Sequence, residues 1–281
     1  MKRFCLILLS SVLFVCAVPQ MARSQVPVAQ DHEVQADTSA TSALMAKLDA
    51  YLEAMDGLSL QAACAECDFL IGSVQDETLR STVAVKAYEH FRQSPLMGSE
   101  TVAIHIFDRW FASYEALFDD FEDFEQAQVH AFVNRRSLIG EQAPVLNLLD
   151  IQGEEVTMPS SSRPALIFFY SASCPKCLYY ATQIRDFLEG RGIYKGKGPK
   201  TRKFDLYTIY CGEDDVEWEL YVRQHFKLRR RCGRRDFHLK GADSDFVTAY
   251  GVVQTPRLFF VGSDGKIQGR NLDVPSLRFF L

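Results

Sequence analysis

Six apolar residues in a row, Ala165-Leu-Ile-Phe-Phe-Tyr170, run almost directly into a cysteine pair, Cys174-Pro-Lys-Cys177. An apolar run of this length, entered through the Ser160–Pro164 loop, suits a strand buried on both faces. A helix is expected from Cys174 to about Glu189, so the pair should sit where the strand hands over to a helix. There Cys174 faces unpaired backbone N–H groups and the positive end of the helix dipole, both of which favour a thiolate over a thiol. The charge of Lys176 is expected to act in the same direction. Cys177, one turn later on the same face, is in reach of a mixed disulfide formed at Cys174.

The bland alternatives for such a pair are a static disulfide or half of a zinc site. Zinc would need two further ligands, yet Cys211 and Cys232 have no C-x-x-C spacing and no two histidines form an H-x-x-x-H pair. No metal and no cofactor are therefore expected.

The pattern around the pair reads as α/β. Val145–Leu149 and Glu155–Met158 form two short strands, followed by a strand at Phe204–Tyr210 and a helix from Asp214 to about Lys227. Strands at Arg257–Val261 and Lys266–Gly269 then close around Asp264-Gly265. Upstream, Leu44, Leu48, Tyr51, Leu52 and Met55 recur at helical spacing, and 76–91 and 99–118 continue the pattern to about Arg136. The reading divides the chain into residues 1–24, a polar leader at 25–41, a helical domain at 42–138 and an α/β domain at 139–281.

From Gly140 onward the chain resembles the thioredoxin superfamily, and within it the exported, membrane-facing thiol reductases (TlpA/ResA-like). The resemblance rests on Cys174-Pro-Lys-Cys177 behind Leu166-Ile-Phe-Phe-Tyr170, on Ala249-Tyr-Gly-Val-Val-Gln-Thr-Pro256, on Phe259-Phe-Val-Gly-Ser-Asp-Gly-Lys-Ile267 and on Gly140-Glu-Gln-Ala-Pro-Val-Leu-Asn-Leu-Leu-Asp150, all in the family's order. It implies a thioredoxin-like fold, a mixed central sheet flanked by helices, behind the smaller all-helical domain. It also implies a redox-active Cys174/Cys177 disulfide in a thiol:disulfide oxidoreductase whose substrates are protein thiols and disulfides. Pro256 is implied to be cis and to face the pair, with the backbone at Thr255 pairing with a bound substrate like a short strand. Pro175 and Lys176 join Thr255 and Pro256 as positioning residues. The chain departs from the family in carrying Ser173 where Trp is usual. Phe168 and Tyr180 stand where many members carry a buried acid that moves a proton to or from the second cysteine. The last family helix is also shortened, to Val274–Leu281.

Lys2 and Arg3, the apolar stretch Phe4–Val18 and Ala22-Arg23-Ser24 read as a signal peptide cleaved after Ser24. Lipid attachment at Cys16 is the less favoured reading, because Val15 is bulky. Export to a periplasm or its equivalent follows, and with it a compartment where disulfides persist. Cleavage removes Lys2, Arg3 and Arg23 and takes the net charge from −5 to −8, a poor match for nucleic acid. Expected partners are envelope proteins bearing thiols or disulfides, with a membrane electron donor as a further one.

The remaining signals are weaker. Cys64-Ala-Glu-Cys67 falls inside a helical pattern, where two buried or loosely paired thiols are expected and an accessory relay is the alternative. Cys211 and Cys232 could pair if the chain folds back after Arg231. The basic runs at Lys195–Lys203 and Lys227–Arg235 read as solvated loops, with a docking face for an acidic partner or membrane as the alternative. Asp119–Glu125 reads as an exposed helix face with buried phenylalanines. Two other functions stay open. One is a partner-binding envelope protein whose helical half does the work; the other is a peroxiredoxin-like peroxidase, which Ile167 disfavours by standing where that group needs proline.

Overall fold

The computed structural model describes residues 31–160, 162–199, 203–227, 235–242 and 244–281. The expected signal peptide with Cys16, the first part of the leader, and Cys232 lie outside them. Leu48–Leu281 forms one compact unit.

Helix α1 spans Asp31–Met55, so helix begins upstream of Ser42, within the stretch read as an irregular leader. Four more helices follow: α2 (Leu60–Gly72), α3 (Glu77–Gln93), α4 (Ser99–Ile106), which runs into a π-helical turn at Phe107–Phe111, and α5 (Phe121–Asn134). Ser59, Asp76 and Asp120 cap α2, α3 and α5 by accepting from the backbone N–H groups of Ala62, Leu79 and Glu122. Leu52, Ile71, Phe91, Ile106 and Phe111 are among the side chains buried where these helices meet.

The sheet has seven strands in the order β2-β1-β5-β4-β3-β6-β7. These are β1 (Leu146–Asp150), β2 (Glu155–Met158), β3 (Ala165–Tyr170), β4 (Asp205–Tyr210), β5 (Arg235–Lys240), β6 (Arg257–Val261) and β7 (Ile267–Gly269). Central β3 runs parallel to β4 and antiparallel to β6. Its Leu166, Phe168 and Tyr170 enter one apolar layer with α6 (Pro175–Glu189) and α7 (Asp215–His225). Ala165, Ile167 and Phe169 enter the opposite layer with Tyr250 at the end of the short helix α8 (Phe246–Tyr250). Every residue of β3 is fully buried, which explains why its sequence does not alternate.

Three sequence expectations need correction. The basic run is expected to end at Arg235 with no element after it, but Arg235–Lys240 is β5, in which Phe237 and Leu239 face one side and pack on β4 and β1 neighbours. The charged residues around them hid that two-residue alternation. The C-terminal segment forms only a single 3-10 turn, Pro275–Phe279, which still buries Leu277. The acidic run does open α5, but Phe121 is 71% exposed and Phe124 only half-buried, stacked on Tyr114 and Phe121. An apolar side chain on a helix surface needs a partner face to bury it; Phe124 has part of one in Phe107 at 5.7 Å, while Phe121 stays exposed.

At the amino end of β4, away from the cysteine end of the sheet, Asp205 has no exposed surface and sits at the centre of a polar cluster. Its carboxylate accepts from Arg163 at 2.8 Å and twice from Arg235, and it also accepts from the hydroxyl of Tyr207. Removing one side of a buried ion pair strands the other, at a cost of about 3 kcal/mol, less the screening that half-exposed Arg235 receives from solvent. Asp205→Ala is therefore expected to lower unfolding stability by about 2 kcal/mol in a urea titration. An unchanged midpoint would show that the cluster contributes nothing net.

Candidate active site

Tyr170 ends β3, and the turn Ser171-Ala-Ser173 leads straight into α6. Cys174 is the N-cap of α6 and Pro175 occupies its first turn, where a missing N–H costs nothing. The Cys174 sulfur accepts the backbone N–H of Cys177 at 3.2 Å, taking the role an oxygen has in an ordinary cap. It also lies 3.7 Å from the carbonyl oxygen of Thr255. The Thr255–Pro256 peptide bond is cis. The loop before β6 thus meets the start of α6, and residues 174, 177 and 255 come together from positions far apart in the chain.

The two thiols differ in environment. Cys174 is half-buried, and that burial pushes its thiol up. Hydrogen bonds from Cys177, from the backbone N–H groups of Cys177 and Lys176, and at Thr255 together outweigh it, leaving the thiol below its ordinary value. Lys176 itself is exposed, so its part is played by its backbone N–H rather than by the ammonium the sequence suggested. Cys177 has no exposed surface, and its thiol is pushed up to about 11, first by burial and then by the hydrogen bond with Cys174. One cysteine is therefore poised as an accessible nucleophile, while the other is held neutral behind it.

The wall behind Cys177 is aromatic. Tyr170 stacks on Tyr221 at 4.8 Å, and Phe168 stacks on Tyr170 at 5.5 Å and on Tyr180 at 6.4 Å. A carboxylate meets this layer at the hydroxyl of Tyr210, which donates to Glu217 at 2.5 Å. Tyr221 is raised first by burial and then by negative charge at either cysteine. Cys211, at the end of β4, is raised to about 12 by burial and also feels Cys177.

The other cysteine pair lies elsewhere. Cys64 and Cys67 are in α2, which packs on α3 and α4, and burial raises them to about 11 and about 12. Neighbouring Asp68 is occupied by His105 at 2.9 Å and by the Trp110 indole at 3.0 Å. Burial holds both thiols in the neutral form, which leaves them less reactive than Cys174. No cluster able to hold a metal occurs among the described residues.

Sequence reasoning missed the supports of the proline loop. Gly251, at φ +66°, opens it, and a Cβ there would collide with Oδ1 of Asn134 and come within 2.8 Å of Arg270 Nη2. Arg270 is almost wholly buried and donates to both the side chain and the backbone carbonyl of Asn134, the last residue of α5. At the loop's other end Arg257 donates to Asn271 at 2.9 Å, and Asn271 donates to Glu100 of α4 at 2.6 Å. Both sets of contacts end on residues of the helical segment, Asn134 and Glu100. Gly251 directly after an aromatic helix end was the only hint in the sequence.

The contrast between the thiols gives an expected outcome. An alkylating reagent at pH 7 labels Cys174, and Cys177 stays unlabelled until the pH approaches 11 or the protein unfolds. Peptide mass mapping across a pH series checks this, and earlier labelling of Cys177 would reverse the two roles.

No family model matches the chain, and no curated protein matches it. Solved structures do. A thioredoxin-like protein from Bacteroides caccae aligns over 90% of this chain and 84% of its own, at 13% identity and a TM-score of 0.58. A thiol:disulfide interchange protein from a Bacteroides species covers 52% of this chain and 88% of its own at 19% identity and TM-score 0.40, and StoA from Bacillus subtilis covers 49% and 96% at 15% identity and TM-score 0.37. At such identities likeness speaks to fold alone, and the first of these carries it across helices and sheet together. With β3 between a parallel and an antiparallel neighbour and the cysteine pair at the N-terminus of α6, the chain has the thioredoxin fold preceded by helices.

Proposed function

We propose that the protein is an exported thiol–disulfide oxidoreductase that reduces disulfides in envelope proteins. The observation carrying this reading is the sulfur of Cys174 at the helix N-terminus, lowered in pKa and 3.7 Å from the Thr255 carbonyl, with Cys177 buried directly behind it. The Cys174 thiolate attacks one sulfur of a substrate disulfide, forms a mixed disulfide and releases the first substrate thiolate. Cys177 then gives up its proton, attacks Cys174 and releases the second. The substrate gains two electrons, the pair becomes a disulfide, and an external dithiol donor returns it to the reduced state. Export rests on Lys2, Arg3 and the apolar stretch behind them; no described helix is long and apolar enough to cross a membrane.

The reductive direction is supported by what surrounds Cys174. A strongly stabilised thiolate favours the reduced form and makes a pair more oxidising. Here the stabilisation comes first from hydrogen bonds at Cys177, Lys176 and Thr255, and the aromatic wall disfavours charge. The reduction potential is expected well below the roughly −120 mV of strong oxidants. Equilibration with glutathione checks it, and a value near that figure would overturn the direction while leaving the exchange chemistry intact. The mechanism has its own test. Cys177→Ser is expected to accumulate mixed disulfides through Cys174, resolved as reductant-sensitive adducts on non-reducing gels of the cell envelope. Absence of adducts there would remove the exchange mechanism.

A further inference from the structure

Val253 stands two residues before Thr255, is 62% exposed, and reaches across to the helical segment. With Glu122, Glu125, Gln126, Val129 and Val133 of α5 it lines a groove of about 560 Å³. A second groove of about 430 Å³ continues from the shared residues Gln128 and Val129 to Phe132 and Phe107. The spacing of Glu122, Glu125, Val129 and Phe132 puts them in one stripe along α5. Val129 is 58% and Phe132 61% exposed, so apolar surface lies open beside the proline loop. No lysine or arginine lines the larger groove, and its one basic residue, His130, is held towards its neutral form by burial.

We propose that this groove on α5 is where the protein substrate docks, and that it selects extended segments carrying apolar and cationic residues next to the reacting cysteine. The inference rests on the redox reading above and adds the class of substrate. A segment paired with the backbone at Thr255 runs on towards Val253, two residues earlier in the same loop. The next residues lie over the groove. Its floor offers Val129 and Val253 to apolar side chains, and its rim offers Glu122 and Glu125 to cations. The groove stays in register with the cysteines because Asn134, which ends α5, is bonded to Arg270 against Gly251 at the start of the proline loop. The helical segment therefore serves as half of the substrate site as well as its brace.

The test compares exchange with two synthetic peptides that share one disulfide but differ in the flanking sequence, Leu/Lys-rich or Ser/Asp-rich, and with 5,5′-dithiobis(2-nitrobenzoate). The small disulfide needs only the exposed Cys174 sulfur, so it reports on the redox pair alone. The full chain is expected to prefer the cationic peptide. In the exposed double variant Glu122→Lys, Glu125→Lys the ratio of kcat/KM for the cationic over the anionic peptide is expected to fall roughly tenfold, chiefly through KM, with the effect shrinking as ionic strength rises. Val129→Asp is expected to raise KM for both peptides. Unchanged ratios and KM values, with the small disulfide still reduced, would overturn the groove and leave the redox reading in place. A concentration-dependent dimer abolished by Val129→Asp would overturn it in favour of a second copy of the chain. No reaction with any of the three disulfides would overturn the redox reading, and the groove with it.

Discussion

The burial of β3 on both faces is the constraint on which the rest of the structure depends. A strand with no exposed residue must have hydrogen-bonded neighbours on both sides and a packed layer above and below, and β4, β6, α6, α7 and α8 supply them. That arrangement fixes where the chain can leave the sheet. The turn after Tyr170 has to lead out at the carboxyl end of the strand, and the first residue able to begin a helix against the sheet is Pro175, which leaves Cys174 as its cap. Antiparallel β6 begins beside the end of β3, with Arg257 opposite Phe169, so the loop before it is brought to the same place. Strand pairing thus brings Thr255 to Cys174, and the 3.7 Å hydrogen bond between the two follows from it.

What strand pairing does not fix is the shape of the loop itself. Residues 252–256 form no ladder, and a loop held only at β6 would carry its local freedom into the site. The helical segment removes that freedom from both ends, through Asn134 and Arg270 at Gly251 and through Glu100 and Asn271 at Arg257. The guanidinium of Arg270 is nearly wholly buried, and burial lowers its pKa, so its hydrogen bonds to Asn134 offset a real desolvation cost. A polar contact kept at such cost specifies geometry better than it adds stability.

The α/β half was largely legible because its strands announce themselves in different ways. β3 shows as an apolar run, β2 and β6 as short β-branched or aromatic stretches bounded by turns, and the cysteine pair by its place behind β3. β5 was not legible, because Arg235, Asp236, His238 and Lys240 outnumber the two apolar residues that alternate with them, and a basic run precedes it. The direction of the Lys176 effect was read correctly but its agent was not, since an ammonium and a backbone N–H carry the same sign and only coordinates tell which one faces the sulfur. The tethers of the proline loop join positions as far apart as 134 and 270, and single polar residues separated by that much chain leave no periodic trace.

The same reasoning explains why α5 looks misfitted when read alone. A helix whose stripe of Glu122, Glu125, Val129 and Phe132 faces outward breaks the rule that apolar stripes face a core, and Phe121 with Tyr114 extends the breach. Local rules that fail while the surrounding packing is well formed mark places where something other than folding sets the residue choice. α5 is also the helix whose last residue is bonded to Arg270 and packed against Gly251, so its unburied stripe cannot shift to find a core of its own without disturbing that contact. An apolar face pinned beside a reactive sulfur remains open to whatever polypeptide the sulfur engages, and its position there follows from the packing that keeps Thr255 beside Cys174.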